Sequence, residues 1–281
     1  MNSSVLTQSE KAQQLRLLHH AGNLLILPNI WDVLGAKLLE SIGYPAVATA
    51  SASVALTNGY PDGEIIPFND VIKNLKRISA GVNVPVTADI EGAYASENEL
   101  LEPNIRLLIE TGIAGINFED TNHTSHTLNE LPLQCSRIKT IRKTADAMGV
   151  PLFINARTDV LFHNEQFPTP ETKQAELIRR GLAYKEAGAD CFFPVMLKSE
   201  EAIAGLTSAL QMPVNIIAVP GIPELKKLEQ LGVARLSLGP SFLRIAIKAM
   251  KTLATDLKEK NGLKTIVENE ITTDYLKSLI K

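Results

Sequence analysis

Acidic residues follow directly on two segments that have the composition of buried strands. Residues 84–88 are mostly apolar and β-favouring and lead into Asp89 and Glu91, while the next such segment ends in Glu119 and Asp120. The carboxyl ends of successive parallel strands meet at one rim of a barrel, so these carboxylates are expected to converge. Hard cations such as Mg²⁺ take one or two carboxylates and complete their shell with water and substrate oxygens. We interpret Asp89 as a candidate Mg²⁺ ligand, with Glu119 or Asp120 reaching the same ion through water; the alternative is helix capping and loop salt bridges.

Two arginines are candidates for binding an anionic substrate. Arg157 follows the apolar segment 152–156, where its guanidinium can clamp a carboxylate through two parallel hydrogen bonds or pair with Asp159. Arg244 is expected one turn into the last helix of the barrel, where it either binds an anion or faces solvent. A lysine at a strand end, which a Schiff-base lyase needs, is absent from the predicted strands.

Histidine and cysteine are sparse. His123 and His126 lie in the loop after the fourth predicted strand, and this spacing ligates a metal only if the loop is helical. His123 is the candidate for moving a proton near neutral pH. Cys135 and Cys191 are too few and too far apart for a disulfide scaffold or a zinc site, and Cys191 is expected to be an inert core residue.

Composition narrows the class of protein. The formal net charge is −3, so the chain lacks the excess of positive charge that is typical of nucleic-acid-binding proteins, and we expect no nucleic-acid partner. The amino terminus lacks a basic segment followed by an apolar run, and no apolar stretch approaches the ~20 residues of a membrane span. With two scattered cysteines, these features lead us to expect a cytoplasmic protein without membrane contact.

Strand-like and helix-like segments alternate along the whole chain. We predict eight strands, each followed by a helix, which defines a closed (β/α)₈ barrel formed by residues 1–281 as a single domain. The predicted strands are 24–28, 46–49, 84–88, 115–118, 151–156, 190–194, 214–218 and 234–238. A helix precedes the first strand, residues 50–67 form a long loop, and 251–281 form a helical extension. An open doubly wound sheet is the alternative, but residues 28–31 lack the glycine-rich fingerprint that usually follows its first strand.

Seven segments, in the same order, resemble the isocitrate lyase and phosphoenolpyruvate mutase superfamily over nearly the whole chain. They are Pro-Asn-Ile-Trp-Asp at 28–32, the segment 49–62, Thr-Ala-Asp-Ile at 87–90, Asn-Phe-Glu-Asp at 117–120, Asn-Ala-Arg-Thr-Asp at 155–159, Gly-Ala-Asp at 188–190 and the segment 241–244. The resemblance implies Mg²⁺, an α-keto acid or its enolate held against that ion, and a barrel whose eighth helix is exchanged between subunits of a tetramer. We expect a homo-oligomer, either a dimer or a tetramer.

The resemblance also implies roles for individual residues. Asp89 and Glu119 are metal-site acids, and Asp62 is the acid of the loop after the second strand. Ser51 and Ala52 offer backbone N–H groups to the carboxylate of the keto acid, and Arg157 and Arg244 bind substrate anions. With His123, the predicted catalytic set is Asp62, His123 and Arg157.

Three positions depart from the superfamily pattern. Thr87 stands where the relatives have the first acid of Asp-x-Asp, and Val195 stands where they have His or Glu. The loop 120–126 contains neither the lysine nor the cysteine of the lyase motif Lys-[Lys/Arg]-Cys-Gly-His, and the phosphonomutase version Lys-x-Asn is absent too. We therefore expect His123 to replace the cysteine, with water or Tyr94 as the competing proton carrier, and the loop 121–133 to be a mobile gate.

From these residues we expect a Mg²⁺-dependent enzyme that acts on a small α-keto or 2-hydroxy carboxylic acid through an enolate-like intermediate. A carbon–carbon lyase is the first expectation. Hydrolysis of an oxaloacetate-like acid and phosphonopyruvate chemistry are alternatives within the superfamily. A catalytically silent barrel that binds keto acids is the alternative of another class.

Overall fold

Short apolar segments of this chain pair as parallel strands whose wall closes on itself. The computed structural model describes residues 6–95 and 98–280. Its strands are β1 (Leu25–Leu27), β2 (Asn29–Ile30), β3 (Val47–Thr49), β4 (Val86–Asp89), β5 (Gly115–Glu119), β6 (Thr121–Asn122), β7 (Thr127–Leu128), β8 (Phe153–Thr158), β9 (Cys191–Pro194), β10 (Asn215–Ile217) and β11 (Arg235–Ser237).

The strand order confirms the predicted barrel. β1 and β2 flank Pro28 and together make one strand of the wall; β1 pairs with β11, and β2 pairs with β3. From β2 the order is β3, β4, β5, β8 and β9, and on the other side β11 pairs with β10. A parallel bridge between Phe192 and Val214 joins β9 to the segment before β10. Eight parallel strands therefore enclose the interior, while β6 and β7 form a separate antiparallel hairpin.

Helices follow the strands around the outside of the barrel. They are α1 (Gln8–His19), α2 (Val33–Ser41), α3 (Ser51–Thr57), α4 (Phe68–Gly81), α5 (Asn98–Ile109), α6 (Leu131–Ala147), α7 (Pro170–Ala187), α8 (Glu200–Leu210), α9 (Leu225–Gln230), α10 (Ser241–Lys258), α11 (Leu263–Val267) and α12 (Thr273–Ile280). None of these helices is long and apolar enough to cross a membrane.

Helix α1 covers the amino-terminal end of the barrel. Leu15 packs so closely on Gly115, the first residue of β5, that a Cβ atom at position 115 would lie 2.8 Å from Leu15 Cδ2. His19 stacks on Phe153 with 4.0 Å between the ring centroids. Helix α1 thus packs directly on the first residues of β5 and β8.

Two loops differ from the sequence expectation. The predicted long loop 50–67 opens with helix α3, because Val54 and Ala55 are buried against the core and tertiary packing overrides a Ser- and Thr-rich composition. The predicted gate 121–133 contains the β6–β7 hairpin, and α6 begins within it at Leu131. The Asn122 side chain closes the hairpin by accepting hydrogen bonds from the backbone N–H groups of residues 124 and 125. At the carboxyl terminus, position 251 lies inside α10, so the predicted extension begins within that helix and goes on as the separate helices α11 and α12.

Candidate active site at the carboxyl end of the barrel

A cavity of about 130 Å³ opens at the carboxyl ends of the strands. Its lining includes Ser51, Ala52, Asp62, Asp89, Asn117 and Arg157. The structure thus brings five of the predicted site residues to one cavity, although they come from three different strand ends. Arg244 is exposed on the first turn of α10, outside this group, whereas Pro240 just before the helix lines the cavity.

Asp89 is held at the end of β4 by neighbours from two adjacent strands. Its Oδ2 accepts hydrogen bonds from the Ser51 backbone N–H at 3.1 Å and the Ser51 hydroxyl at 3.0 Å. The side-chain amide of Asn117 lies 3.4 Å from Oδ1. The backbone N–H of Ser51, which was predicted to bind the substrate carboxylate, therefore donates to Asp89 instead. A substrate carboxylate has to displace Asp89 from this N–H before it can accept the hydrogen bond.

A buried polar layer lies beneath Asp89 and was missing from the predicted site. Asn117 Oδ1 accepts hydrogen bonds from Asn155 Nδ2 at 2.8 Å and from the Arg235 guanidinium at 3.2 Å. These two donors orient the Asn117 amide nitrogen toward Asp89. Arg235 is fully buried, and burial lowers its pKa to about 10. The sequence did contain a signal for this polar layer, because Asn117 and Asn155 interrupt otherwise apolar strands.

Arg157 is fixed by two carboxylates while it lines the cavity. Its Nε and one terminal nitrogen bind the two oxygens of Asp159 at 2.8 and 2.9 Å, and its other terminal nitrogen is 2.6 Å from Glu119 Oε2. Burial opposes the charged form, but the charges of Glu119 and Asp159 outweigh it and raise the pKa of Arg157. The ion pair with Asp159, weighed as the alternative to substrate binding, is present. A guanidinium has five N–H groups, and these three contacts leave two.

Glu119 bridges Arg157 and His123. Its Oε1 lies 2.7 Å from His123 Nε2, so each carboxylate oxygen faces a basic side chain. Burial raises the pKa of Glu119, although the Arg157 charge opposes this shift. Burial would lower the pKa of His123, but its hydrogen bond with Glu119 and the charge of that carboxylate raise it to about 9. His123 is therefore a cation at neutral pH, on the opposite carboxylate oxygen from Arg157.

Glu91, two residues after Asp89, is a site acid that the sequence prediction noted but left without a role. Its backbone has a φ of +52°, which turns the chain out of the strand and directs the side chain inward. The side chain is buried, and burial followed by the charge of Asp62 raises its pKa to about 8. Nearby, Glu64 Oε1 accepts a hydrogen bond from the Tyr94 backbone N–H at 2.6 Å.

Asp120 belongs to the barrel wall, and the hypothesis that it reaches a metal in the mouth is wrong. Its Oδ2 accepts hydrogen bonds from Thr158, Tyr184 and Arg180 at 2.6, 2.7 and 2.9 Å. Its Oδ1 accepts the backbone N–H of Asp159 at 3.0 Å. Burial raises the pKa of Asp120, and the Arg180 charge opposes this shift. The physical reason is strand alternation: Glu119 and Asp120 are consecutive, so their side chains point to opposite faces.

A parallel barrel with carboxylates and an arginine around its open end defines a class of barrel enzymes whose sites lie on the loops after the strands. Residues 15–258 match the family model described as phosphoenolpyruvate phosphomutase. The chain belongs to this family, within the isocitrate lyase and phosphoenolpyruvate mutase superfamily.

Individual relatives cover most of the chain. A solved structure from Burkholderia cenocepacia J2315, provisionally described as a phosphonomutase, is 37% identical with a TM-score of 0.83, covering 90% of this chain and 100% of that one. An uncharacterized protein of Mycobacterium tuberculosis is 33% identical over 79% of this chain and 80% of its own length. The 2,3-dimethylmalate lyase of Eubacterium barkeri is 27% identical over 96% of this chain and 93% of its own length.

We predict that Asp120→Asn strongly destabilises the protein. The substitution removes one of the two carboxylates that contact the buried Arg180, which keeps Glu176 at 2.7 Å; breaking a buried ion pair costs up to about 3–5 kcal/mol. Urea unfolding followed by circular dichroism measures the change. Asp70→Asn is the matched control, because Asp70 pairs with Lys73 at 3.0 Å on the exposed surface, where such a pair contributes about 0–1 kcal/mol. Equal unfolding midpoints for the two variants would show that Asp120 does not anchor the wall.

Proposed function

We propose that this protein is a Mg²⁺-dependent carbon–carbon lyase that acts on a small 2-hydroxy carboxylic acid and releases a keto acid. The observation that carries this proposal is the convergence of Asp62, Asp89 and Arg157 on one cavity of about 130 Å³. The cavity is below the roughly 300–1,000 Å³ of pockets for drug-sized ligands, which favours a substrate of few carbon atoms. Family membership supports the same class of reaction.

The donor set of the cavity suits a hard cation. Asp89 contributes only carboxylate oxygens, and Mg²⁺ binds through one or two carboxylates plus water and substrate oxygens. A bound ion would polarise a carbonyl oxygen and stabilise negative charge that develops on it. The role of Glu119 as a second ligand of this ion stays a prediction. Both carboxylate oxygens of Glu119 face basic side chains, namely His123 and Arg157.

Arg157 is suited to hold a substrate carboxylate. Its contacts with Glu119 and Asp159 fix the guanidinium in one orientation, and two N–H groups remain for a ligand in the cavity. A preorganised donor pair loses little conformational freedom when it binds, which favours affinity and alignment.

Asp62 is the member of the predicted catalytic set best placed to accept a proton. It lines the cavity, whereas His123 contacts Glu119 and would have to leave that contact to reach a substrate. We assign to Asp62 the removal of the proton from the substrate hydroxyl. The carbon–carbon bond then breaks, the hydroxyl carbon becomes the carbonyl of the released keto acid, and the other fragment leaves as an enolate-like anion that takes up a proton.

One observation favours the alternative of a barrel that binds keto acids without turnover. Thr87 replaces an acid of the relatives' metal motif, and its buried hydroxyl has no hydrogen-bond partner within residues 6–95 and 98–280. A site with one carboxylate fewer binds Mg²⁺ more weakly. Binding measurements alone do not separate the two functions, but turnover does.

We further propose that the protein is a homo-oligomer, and that its location is the cytoplasm, where its two free thiols would stay reduced. Helix α10 buries only Leu243 and leaves an apolar group of side chains exposed, which are Ile245, Ile247, Met250 and Leu257. A second copy of the chain would cover these side chains. Light scattering is expected to give a multiple of 30.6 kDa, and a monomeric mass at micromolar concentration would contradict this proposal.

We predict that Arg157→Lys weakens the binding of oxalate, a small dicarboxylate, in the presence of Mg²⁺. The ammonium group replaces a fixed fork of N–H donors with a single point charge, so affinity falls by about 10–100-fold. Isothermal titration calorimetry measures the change, and Arg244→Lys is the control because Arg244 is exposed outside the cavity. If Arg157→Lys binds oxalate as tightly as the parent, then Arg157 does not clamp the carboxylate and the proposed substrate class loses its main support.

A further inference from the structure

A fully buried arginine lies inside the barrel, in the polar layer beneath Asp89. Arg235 is the first residue of β11 and has no exposed surface. One terminal nitrogen of its guanidinium donates to Asn117 Oδ1 at 3.2 Å. Its Nε and its other terminal nitrogen have no hydrogen-bond partner among residues 6–95 and 98–280. Half-satisfied buried cations are costly, so packing alone does not account for this residue.

The side chains around Arg235 do not neutralise its charge. Burial raises the pKa of the Cys191 thiol to about 12, so this thiol is neutral near pH 7. Burial, followed by the charge of Arg235, lowers the pKa of His19 to about 3, so this imidazole is neutral too. Burial lowers the pKa of Arg235 itself to about 10, and the charges of Cys191 and Asp89 oppose that shift. Arg235 is therefore a cation at neutral pH, and Asp89 is the carboxylate whose charge offsets it.

A single amide group separates Arg235 from Asp89. The oxygen of the Asn117 amide accepts from Arg235, and the nitrogen of the same amide lies 3.4 Å from Asp89 Oδ1. Asn155 Nδ2 donates to the same Asn117 oxygen at 2.8 Å. Since Asn155 also holds the amide in this orientation, the contribution that only Arg235 makes is a positive charge below the Asp89 carboxylate.

The interior of the barrel lacks a negative charge at a second position. Thr87, two residues before Asp89 on β4, is a buried neutral side chain where the superfamily pattern has an acid. One acid fewer and one buried cation act in the same direction: both disfavour a cation at the ends of the strands, and both favour an anion there. Negative charge bound in the cavity would also offset the cost of burying Arg235.

We propose that Arg235 determines which ligand charge the cavity accepts, and that it selects substrates with two negative charges, such as dicarboxylates. Its charge weakens the binding of Mg²⁺ to Asp89 and strengthens the binding of the anionic substrate. The lining of the cavity does not include Arg235, so it acts on the ligands through space and through Asn117. Arginine suits this role because it keeps its proton when buried, whereas a buried lysine readily loses it. The inference rests on the proposed function, because it takes Asp89 as the ligand of Mg²⁺.

Calorimetric titration of variants that lack this charge tests the role without turnover. Mg²⁺ is titrated alone, and oxalate and pyruvate are titrated at saturating Mg²⁺, into the parent, Arg235→Gln and Arg235→Met. Loss of the charge is expected to tighten Mg²⁺ binding about tenfold and to weaken oxalate binding about tenfold. Pyruvate carries one negative charge and is expected to lose less affinity than oxalate.

The opposite signs of the two changes are the decisive readout, because general damage to the barrel weakens the binding of both ligands. Arg244→Gln is the matched control. It removes the same charge from an exposed position outside the cavity and is expected to leave both affinities unchanged. Circular dichroism establishes which variants are folded, and one folded variant without the charge is sufficient.

The outcomes separate this inference from the proposed function. If the parent fails to bind Mg²⁺ or oxalate, then the proposed function is contradicted and this inference with it. If the parent binds both, but a folded Arg235 variant binds Mg²⁺ no more tightly or keeps its oxalate affinity, then this inference alone is overturned. Equal losses for oxalate and pyruvate would overturn the selection of dicarboxylates. Loss of the folded state in both Arg235→Gln and Arg235→Met would assign Arg235 to the stability of the barrel and would also contradict the proposal.

Discussion

The ion pair between Asp120 and Arg180, buried in the wall behind the barrel mouth, supports the whole candidate site. Two charges so far from water are tolerated only when each has a partner and their remaining hydrogen-bonding groups are satisfied. Thr158, Tyr184 and the Asp159 backbone supply those hydrogen bonds. Because the Asp159 backbone is tied to Asp120, the Asp159 side chain stands where it can hold Arg157.

From Asp159 the charges alternate toward the mouth of the barrel. Arg157 lies between Asp159 and Glu119, and Glu119 lies between Arg157 and His123. Each charge is offset by a neighbour of opposite sign, so a dense group of acids and bases remains stable at the end of the strands. Glu91 stands next to this series, with its Oε2 3.8 Å from His123 Nε2, beyond hydrogen-bond distance. The same arrangement fixes the guanidinium of Arg157 in the cavity.

Much of this architecture could be predicted from the sequence, because the carboxyl ends of all parallel strands lie at the same end of a barrel. Asp89, Glu119 and Arg157 were identified from apolar segments that end in charged residues, and they do stand at the open end. The position of Asp120 could have been predicted as well, since alternation along β5 directs it away from Glu119. The inward turn of Glu91 could not, because it depends on a left-handed backbone at a non-glycine residue. The contact between His123 and Glu119 depends on a hairpin that short-range patterns do not specify.

Turnover of 2-hydroxy acids is the most direct test of the proposed carbon–carbon lyase. The protein is incubated with Mg²⁺ and a panel of 2-hydroxy di- and tricarboxylates, and products are followed by nuclear magnetic resonance, with Asp89→Asn as the inactive control. We expect at least one acid of the panel to be split into a keto acid, such as pyruvate or glyoxylate, and a second carboxylic acid, by the parent and not by Asp89→Asn. Tight oxalate binding without cleavage of any acid in the panel would contradict the account and identify a barrel that binds keto acids without catalysing their formation.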